Sequence, residues 1–259
     1  MIAKSYSCAL LGLEPMPIHV EIGLTGGLPD LVMVGLPDTA VRESRERVRS
    51  AIVRSGFSWP KRRILVNLAP AHLRKAGSGY DLAVAVGILK ASGQLDISLA
   101  DYVFVGELSI DGLVRPIRGI LAMALAMRSW PQKTLVVAEE NLAEARRGTS
   151  RVIALQHLSQ TKDLYRMKEG KESDLSPAVT ADEGFPADMQ DVVGQYQARR
   201  ALEIAACGRH NLLLTGPPGS GKSLLARCLP SILPPLTEQE ALEINQIYSV
   251  AGLLNDRRS

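Results

Sequence analysis

The eight residues "GPPGSGKS" at positions 216–223 constrain this chain more than any other stretch. They meet the spacing Gly-x-x-x-x-Gly-Lys-Ser/Thr through Gly216, Gly221, Lys222 and Ser223, with Pro217, Pro218, Gly219 and Ser220 between. Each residue type has a mechanical reason. Glycine lets the backbone take positive φ, so that successive N–H groups converge on an anion. Lys222 supplies a cation of the right reach for β- and γ-phosphates, and the Ser223 hydroxyl is suited to a phosphate-bound Mg²⁺. Context narrows the reading. The apolar run "NLLLTG" (211–216) is expected to be a strand leading into the loop, and "KSLLARCL" (222–229) leaves it as an amphipathic helix. A helix that starts there points its positive end at the same anion.

A loop of this kind grips phosphate but does not hydrolyse by itself. Hydrolysis needs an acidic residue at the end of a second strand. No apolar strand ending in Asp-Glu follows Ser223, and no arginine can be argued to act as a finger; Arg257 and Arg258 read as solvated. "LVVAEE" (135–140) fits superficially, but it lies upstream and reads as a strand end meeting a helix start. No catalytic residue is therefore assigned within this chain.

The first part of the chain alternates strand and helix patterns. Strands are expected at 18–24, 31–36, 63–69, 133–139 and 151–156, and helices at about 38–55, 80–93 and 119–128. "DYVFVGELSIDGLVRPI" (101–117) reads as one hairpin turning at Asp111-Gly112, a two-residue turn signal. The alternation implies an α/β layer fold with a mixed sheet. Residues 166–186 are polar, charged and rich in turn formers, and read as a linker. Apolar order returns from 187 to 259, opening with a helix over about 196–207. At 46% hydrophobic and 22% charged residues, the composition is that of a globular protein. No run reaches the roughly 18–20 apolar residues that span a bilayer. Cys8, Cys207 and Cys228 lack metal-site spacing, and His19, His72, His157 and His210 are isolated. A cytoplasmic protein without a membrane anchor is expected.

Net charge is only +3, but it is unevenly spread. Residues 41–75 hold ten Lys/Arg against two Glu. Arg42, Arg45 and Arg49 share one side of the expected helix, and Lys61, Arg62 and Arg63 follow in "PKRR". Such a surface can contact nucleic-acid phosphates. It can equally be a solvated flank paired with Glu43 and Glu46, or a subunit interface.

Longer words in the sequence carry a resemblance. "DVVGQYQARRALEIAACGRHNLLLTGPPGSGKSLLARCLPSILPPL" resembles the opening of the AAA+ module of magnesium-chelatase-like ATPases. "GLPDTAVRESRERVRSAI", "NLAPAHLRKAGSGYDLAVAVGIL" and "GELSIDGLVRPIRGIL" resemble the N-terminal domain of the ComM/YifB competence-related family. The likeness covers essentially the whole chain. It implies a Lon-protease or ribosomal-S5-domain-2-like α/β domain over 1–165, followed by an incomplete P-loop AAA+ domain over 187–259. It also implies ATP and Mg²⁺ as cofactors, DNA as partner, a hexameric ring, and an ATP-driven motor for branch migration of branched or single-stranded DNA. Val193 and Gly194 in "DVVGQ" would lie beside the adenine. Lon-type enzymes pair a serine nucleophile with a lysine. Here the corresponding segment "KAGSGYDL" (75–82) puts Gly79 at the serine position, with Ser78 one place away, and "RGILAMAL" (118–125) holds no lysine. Proteolysis is not expected, and Ser78 is expected to cap the following helix. A chelatase-type ATPase subunit and a non-hydrolysing ATP-binding scaffold are the rival readings.

Overall fold

The computed structural model describes residues 2–167 and 187–254. Most of the expected linker (168–186), and Arg257 and Arg258, lie outside the described residues. The chain divides into two compact units: residues 1–177 with 243–259, and residues 178–242.

The first unit begins with two long strands, β1 (Ile2–Leu11) and β2 (Glu14–Thr25), paired antiparallel. A short strand, β3 (Asp30–Val34), leads into helix α1 (Thr39–Arg54), which crosses to β4 (Arg63–Ala69). The sheet order is β1-β2-β4-β3, with β3 parallel to β4 and the other pairs antiparallel. Strict alternation buries Ile18, Val20, Ile22 and Leu24 of β2 and Ile64, Val66 and Leu68 of β4 on one face. Helix α2 (Asp81–Ala91) packs on that face and is buried all round except at Lys90. Each of its fully covered Leu, Val and Ile side chains contributes about 1.5–3 kcal/mol of burial. On the outer face Asn67 Nδ2 donates to Glu21 Oε2 at 3.0 Å, and Lys4 pairs with Glu21 at 3.1 Å.

Strand β1 has no counterpart among the strands expected from the sequence. Its positions on the α2 side are Ala3, Ser5 and Ser7, small residues with no large-apolar alternation, while Cys8 on the opposite face packs with Val103 and Ile120. Small residues are needed there because α2 approaches closely at Gly87. A Cβ on Gly87 would lie 2.7 Å from Ile22 Cγ1 and 3.0 Å from Ser5 Oγ. Ser5 Oγ instead donates to the Ala83 carbonyl at 2.8 Å.

The expected hairpin over 101–117 is corrected. Strand β5 (Tyr102–Phe104) leaves it for a second sheet, and only β6 (Glu107–Leu108) and β7 (Val114–Arg115) form the hairpin. Ser109 N donates to Leu113 O at 3.0 Å, which closes a three-residue loop, Ile110-Asp111-Gly112, rather than a two-residue turn. Gly112 takes the left-handed position at φ 95°. β5 joins β8 (Thr134–Ala138) and β9 (Val152–Leu155), in the order β5-β8-β9, all parallel. Burial on both faces explains why β8 reads as the unbroken run TLVVA. Helices α3 (Ile120–Ala126) and α4 (Leu142–Arg146) cover this sheet.

The second unit holds α5 (Tyr196–Gly208), α6 (Lys222–Cys228) and the first turn of α7 (Glu238–Ala251), whose residues from 243 onward belong to the first unit. Its small core is Met189, Val192, Leu202, Leu225 and Cys228. The expected strand at 211–216 is not formed. A strand exists by ladder bonding, and no described segment of this unit pairs with it, so Leu213 is 85% exposed. The architecture is mixed α/β with parallel strands, as the alternation implied. No described helix is long and apolar enough to cross a membrane.

Candidate functional site

The phosphate-type loop is built between the extended stretch 211–215 and α6. Gly219 and Gly221 take φ of 77° and 80°, a region closed to most side chains, and Gly221 is the residue on which α6 begins. Ser220 Oγ donates to the Pro217 carbonyl at 2.9 Å and holds the loop's curvature. Leu225 and Cys228, buried on the far side of α6, anchor the helix to the small core. Ser223 is exposed at the first turn, where helix amides have no intrahelical acceptor.

Lys222 is the centre of the arrangement. Its ammonium donates to Gly216 O at 2.8 Å, to Pro217 O at 2.7 Å and to Ser220 Oγ at 3.2 Å. All three donors are used, and all acceptors belong to the loop. The cation is thus held inside the curve of the loop, where its charge faces whatever the loop encloses. Such neutral acceptors are weaker partners than an anion would be.

The "DVVGQ" segment is brought to the same place. Gln195, in left-handed conformation at φ 51°, donates from Nε2 to Ser220 O at 3.3 Å. Gly194 also has positive φ, at 73°. Val192 is buried, its carbonyl accepts from Arg199 Nη1 at 3.2 Å, and Val193 is left 93% exposed. The contact of this segment with the loop is made by Gln195, next to Gly194 in the chain. No group of His, Cys, Asp and Glu that could hold a metal ion occurs among the described residues. Glu139 and Glu140 start a 3-10 turn after β8 in the first unit, apart from this loop in the chain's division.

The basic residues are not equivalent. Arg45 pairs with Asp30 at 2.7 Å and Glu46 at 3.7 Å, and the Arg49 guanidinium lies over the Trp59 ring at 6.0 Å. Asp30, at the start of β3, is the partner that helical spacing could not reveal. Arg42, Lys61, Arg62 and Arg63 are exposed.

Ser78 does not cap α2. The helix has no side-chain cap, and Ser78 Oγ donates to Glu107 Oε2. The physical reason is distance along the chain: α2 starts at Asp81, so Ser78 precedes the cap position by two residues. Lys75 is fully buried, its ammonium donates to Pro70 O, and burial lowers its pKa. Asp81 is also buried, beneath Arg47 Nε at 3.0 Å. Desolvation pushes the Asp81 carboxyl up to about 6, against the lowering effect of Arg47. Both fall in the segment "KAGSGYDL", but nothing in its letters signals that a Lys and an Asp there are buried.

A family model described as subunit ChlI of Mg-chelatase matches residues 20–141, and one described as magnesium chelatase, subunit ChlI, matches residues 188–259. The YifB protein of Salmonella typhimurium is 44% identical over 256 residues, covering 97% of this chain and 50% of its own length. The chain belongs to the ComM/YifB family. The competence protein ComM of Haemophilus influenzae is 38% identical over 258 residues, 96% of this chain and 50% of that protein. A putative lon protease homolog of Methanothermobacter thermautotrophicus matches at 43% over 62 residues, 24% of this chain. The chain thus spans about half the length of the ComM/YifB relatives it matches, and a local likeness to Lon accompanies the family match.

Proposed function

We propose that this chain carries the phosphate-gripping part of the ATP site of a magnesium-chelatase-like AAA+ ATPase. We further propose that the whole protein is a cytoplasmic hexameric ring that couples ATP hydrolysis to movement on branched or single-stranded DNA. The observation that carries the reading is the Lys222 ammonium held at 2.7–3.2 Å by three oxygens of its own loop. The residues fit Mg²⁺·ATP: glycines at positive φ shape the curve, Lys222 supplies charge, and Ser223 stands exposed at the start of α6. Bound nucleotide supplies an electrophilic γ-phosphorus; this chain's residues bind and orient it. Lys222 exchanges carbonyl partners for phosphate oxygens, a stronger, charge-assisted interaction. The Ser223 hydroxyl serves as a metal ligand, and Val193 and Gly194 border the base. Hydrolytic residues are proposed to come from the longer chain of this family.

The first unit is proposed to be a Lon- or ribosomal-S5-like domain without proteolytic chemistry, and Arg42, Arg45, Arg49, Lys61, Arg62 and Arg63 to bind phosphates. DNA as partner is supported by the name of the ComM relative, a competence protein. A second reading, a metal-chelatase-type ATPase subunit, is favoured by the descriptions of both family models. The deciding experiment compares ATP turnover of this chain and a full-length family member, with and without branched DNA. DNA-stimulated turnover by the longer chain supports the motor. ATP-dependent insertion of Mg²⁺ into a porphyrin, without DNA stimulation, favours the chelatase reading.

A further inference from the structure

A cleft of about 370 Å³ opens in the first unit between α1 and the β6–β7 hairpin. Its lining is amphoteric. Arg47 and Arg54 enter from α1 and Arg115 from β7; Glu107, Ser109 and Asp111 face them, and Leu108 and Ile110 supply apolar wall. The three guanidinium groups differ from the outward-facing set on α1. Arg47 is fixed by one arm, Nε, to Asp81, and its Nη2 is buried with no hydrogen-bond partner. Arg54 and Arg115 are exposed, with no ion pair among the described residues. The carboxylates each spend one oxygen within the protein, Glu107 Oε2 on Ser78 and Asp111 Oδ1 on Ser109. Glu107 Oε1 is left for a ligand's donors, while the Asp111 carboxylate is also held by the backbone N–H groups of Asp111 and Leu113.

A cleft for a simple anion would not carry two carboxylates. Cations and carboxylates side by side suit a ligand that brings both an anion and hydrogen-bond donors. The volume lies at the small end of the range for ligand sites. We propose that this cleft binds one nucleotide unit, with the phosphate against Arg54 and Arg115 and an exocyclic amine or sugar hydroxyl against Glu107 and Asp111. Guanidinium groups match phosphate bidentately, and carboxylates accept from base amino groups. The apolar wall of Leu108 and Ile110 shields one side of the ring. The same chemistry is offered by a free mononucleotide and by one residue of a single strand. The cleft belongs to the first unit and the phosphate loop to the second, and nucleotide binding in the cleft does not depend on ATP hydrolysis.

The test uses the full chain carrying Lys222→Ala, so that the phosphate loop does not report. A fluorescein-labelled oligo(dC) is titrated by anisotropy at several salt concentrations, with cytidine monophosphate as a competitor. Arg54→Ala/Arg115→Ala should weaken binding at least about tenfold and reduce the salt slope by about one to two, one for each arginine that no longer neutralises a phosphate. Arg115→Gln alone should give an intermediate loss. Arg128→Ala/Arg166→Ala, exposed arginines of the same unit, should stay within about twofold of the parent, as expected of arginines that meet no phosphate. All variants should share the parent's thermal midpoint. Displacement of the strand by millimolar cytidine monophosphate identifies the mononucleotide as the ligand; strand binding that resists it identifies the strand. Failure of the parent to bind either probe overturns the proposal. So does an Arg54→Ala/Arg115→Ala protein that binds like the parent, or a control that weakens as much.

Discussion

At the residue scale, three side chains carry separate predictions. Lys222→Ala removes the only charge among the hydrogen bonds within the loop. Charge-assisted hydrogen bonds contribute about 1.5–3 kcal/mol, so ATP should bind roughly 10- to 100-fold more weakly, with little change in thermal midpoint. Ser78 is engaged by Glu107 and stands in a segment whose Lon-like counterpart requires a lysine base that residues 118–125 do not provide. Casein cleavage by the wild-type chain should therefore equal the background, and Ser78→Ala should leave it there; cleavage abolished by that substitution contradicts the account. Asp81 gives a pH signature. Its folded-state carboxyl is raised to about 6 from 3.8, chiefly by desolvation. A raised acid pKa means the folded state binds the proton more tightly than the unfolded state. The stability of wild type relative to Asp81→Asn should therefore fall as pH rises from about 4 to 6, by up to about 3 kcal/mol. Denaturant titrations across that window measure it, and a flat difference contradicts it.

At the element scale, α1 starts where the sequence places it because Asp38 is a complete cap. Its Oδ1 accepts from Val41 N at 2.8 Å and its Oδ2 from Gly77 N at 3.2 Å. Asp38→Ala should cost about 1–2 kcal/mol, read as a lower urea midpoint with an unchanged slope. Elements with a full period are legible in the sequence: α1, α2, β2, β4 and β8 all lie within a residue or two of, or overlap, their expected spans. Those set by long-range demands are not. β1 hides because its buried positions include Ser5, under Gly87, and Ser7, and β5 reads as part of the hairpin because its true partner, β8, comes much later in the chain. The curve of the loop at 216–223 is legible, since it depends on local glycines. Asp30 opposite Arg45 and the arginines gathered around Glu107 and Asp111 are not, since sequence spacing does not report neighbours across a crossover.

At the scale of the whole molecule, a basic stretch and a phosphate loop sit in different units, so their contributions separate experimentally. Arg42→Ala/Arg45→Ala/Arg49→Ala should flatten the salt dependence of DNA binding, by about one in slope for each phosphate left unneutralised. Arg45 is already paired with Asp30 and Arg49 stacked on Trp59, so the change should fall short of three. An unchanged slope assigns that face to solvent or to a subunit interface. The central claim is the grip on ATP, and it is tested most directly by titrating a fluorescent ATP analogue, with Mg²⁺, into this chain and its Lys222→Ala variant. Saturable binding by the wild type, displaced by unlabelled ATP and weakened at least about tenfold in the variant, is the predicted result. Equal affinity in both proteins, or no saturable binding by the wild type, contradicts it.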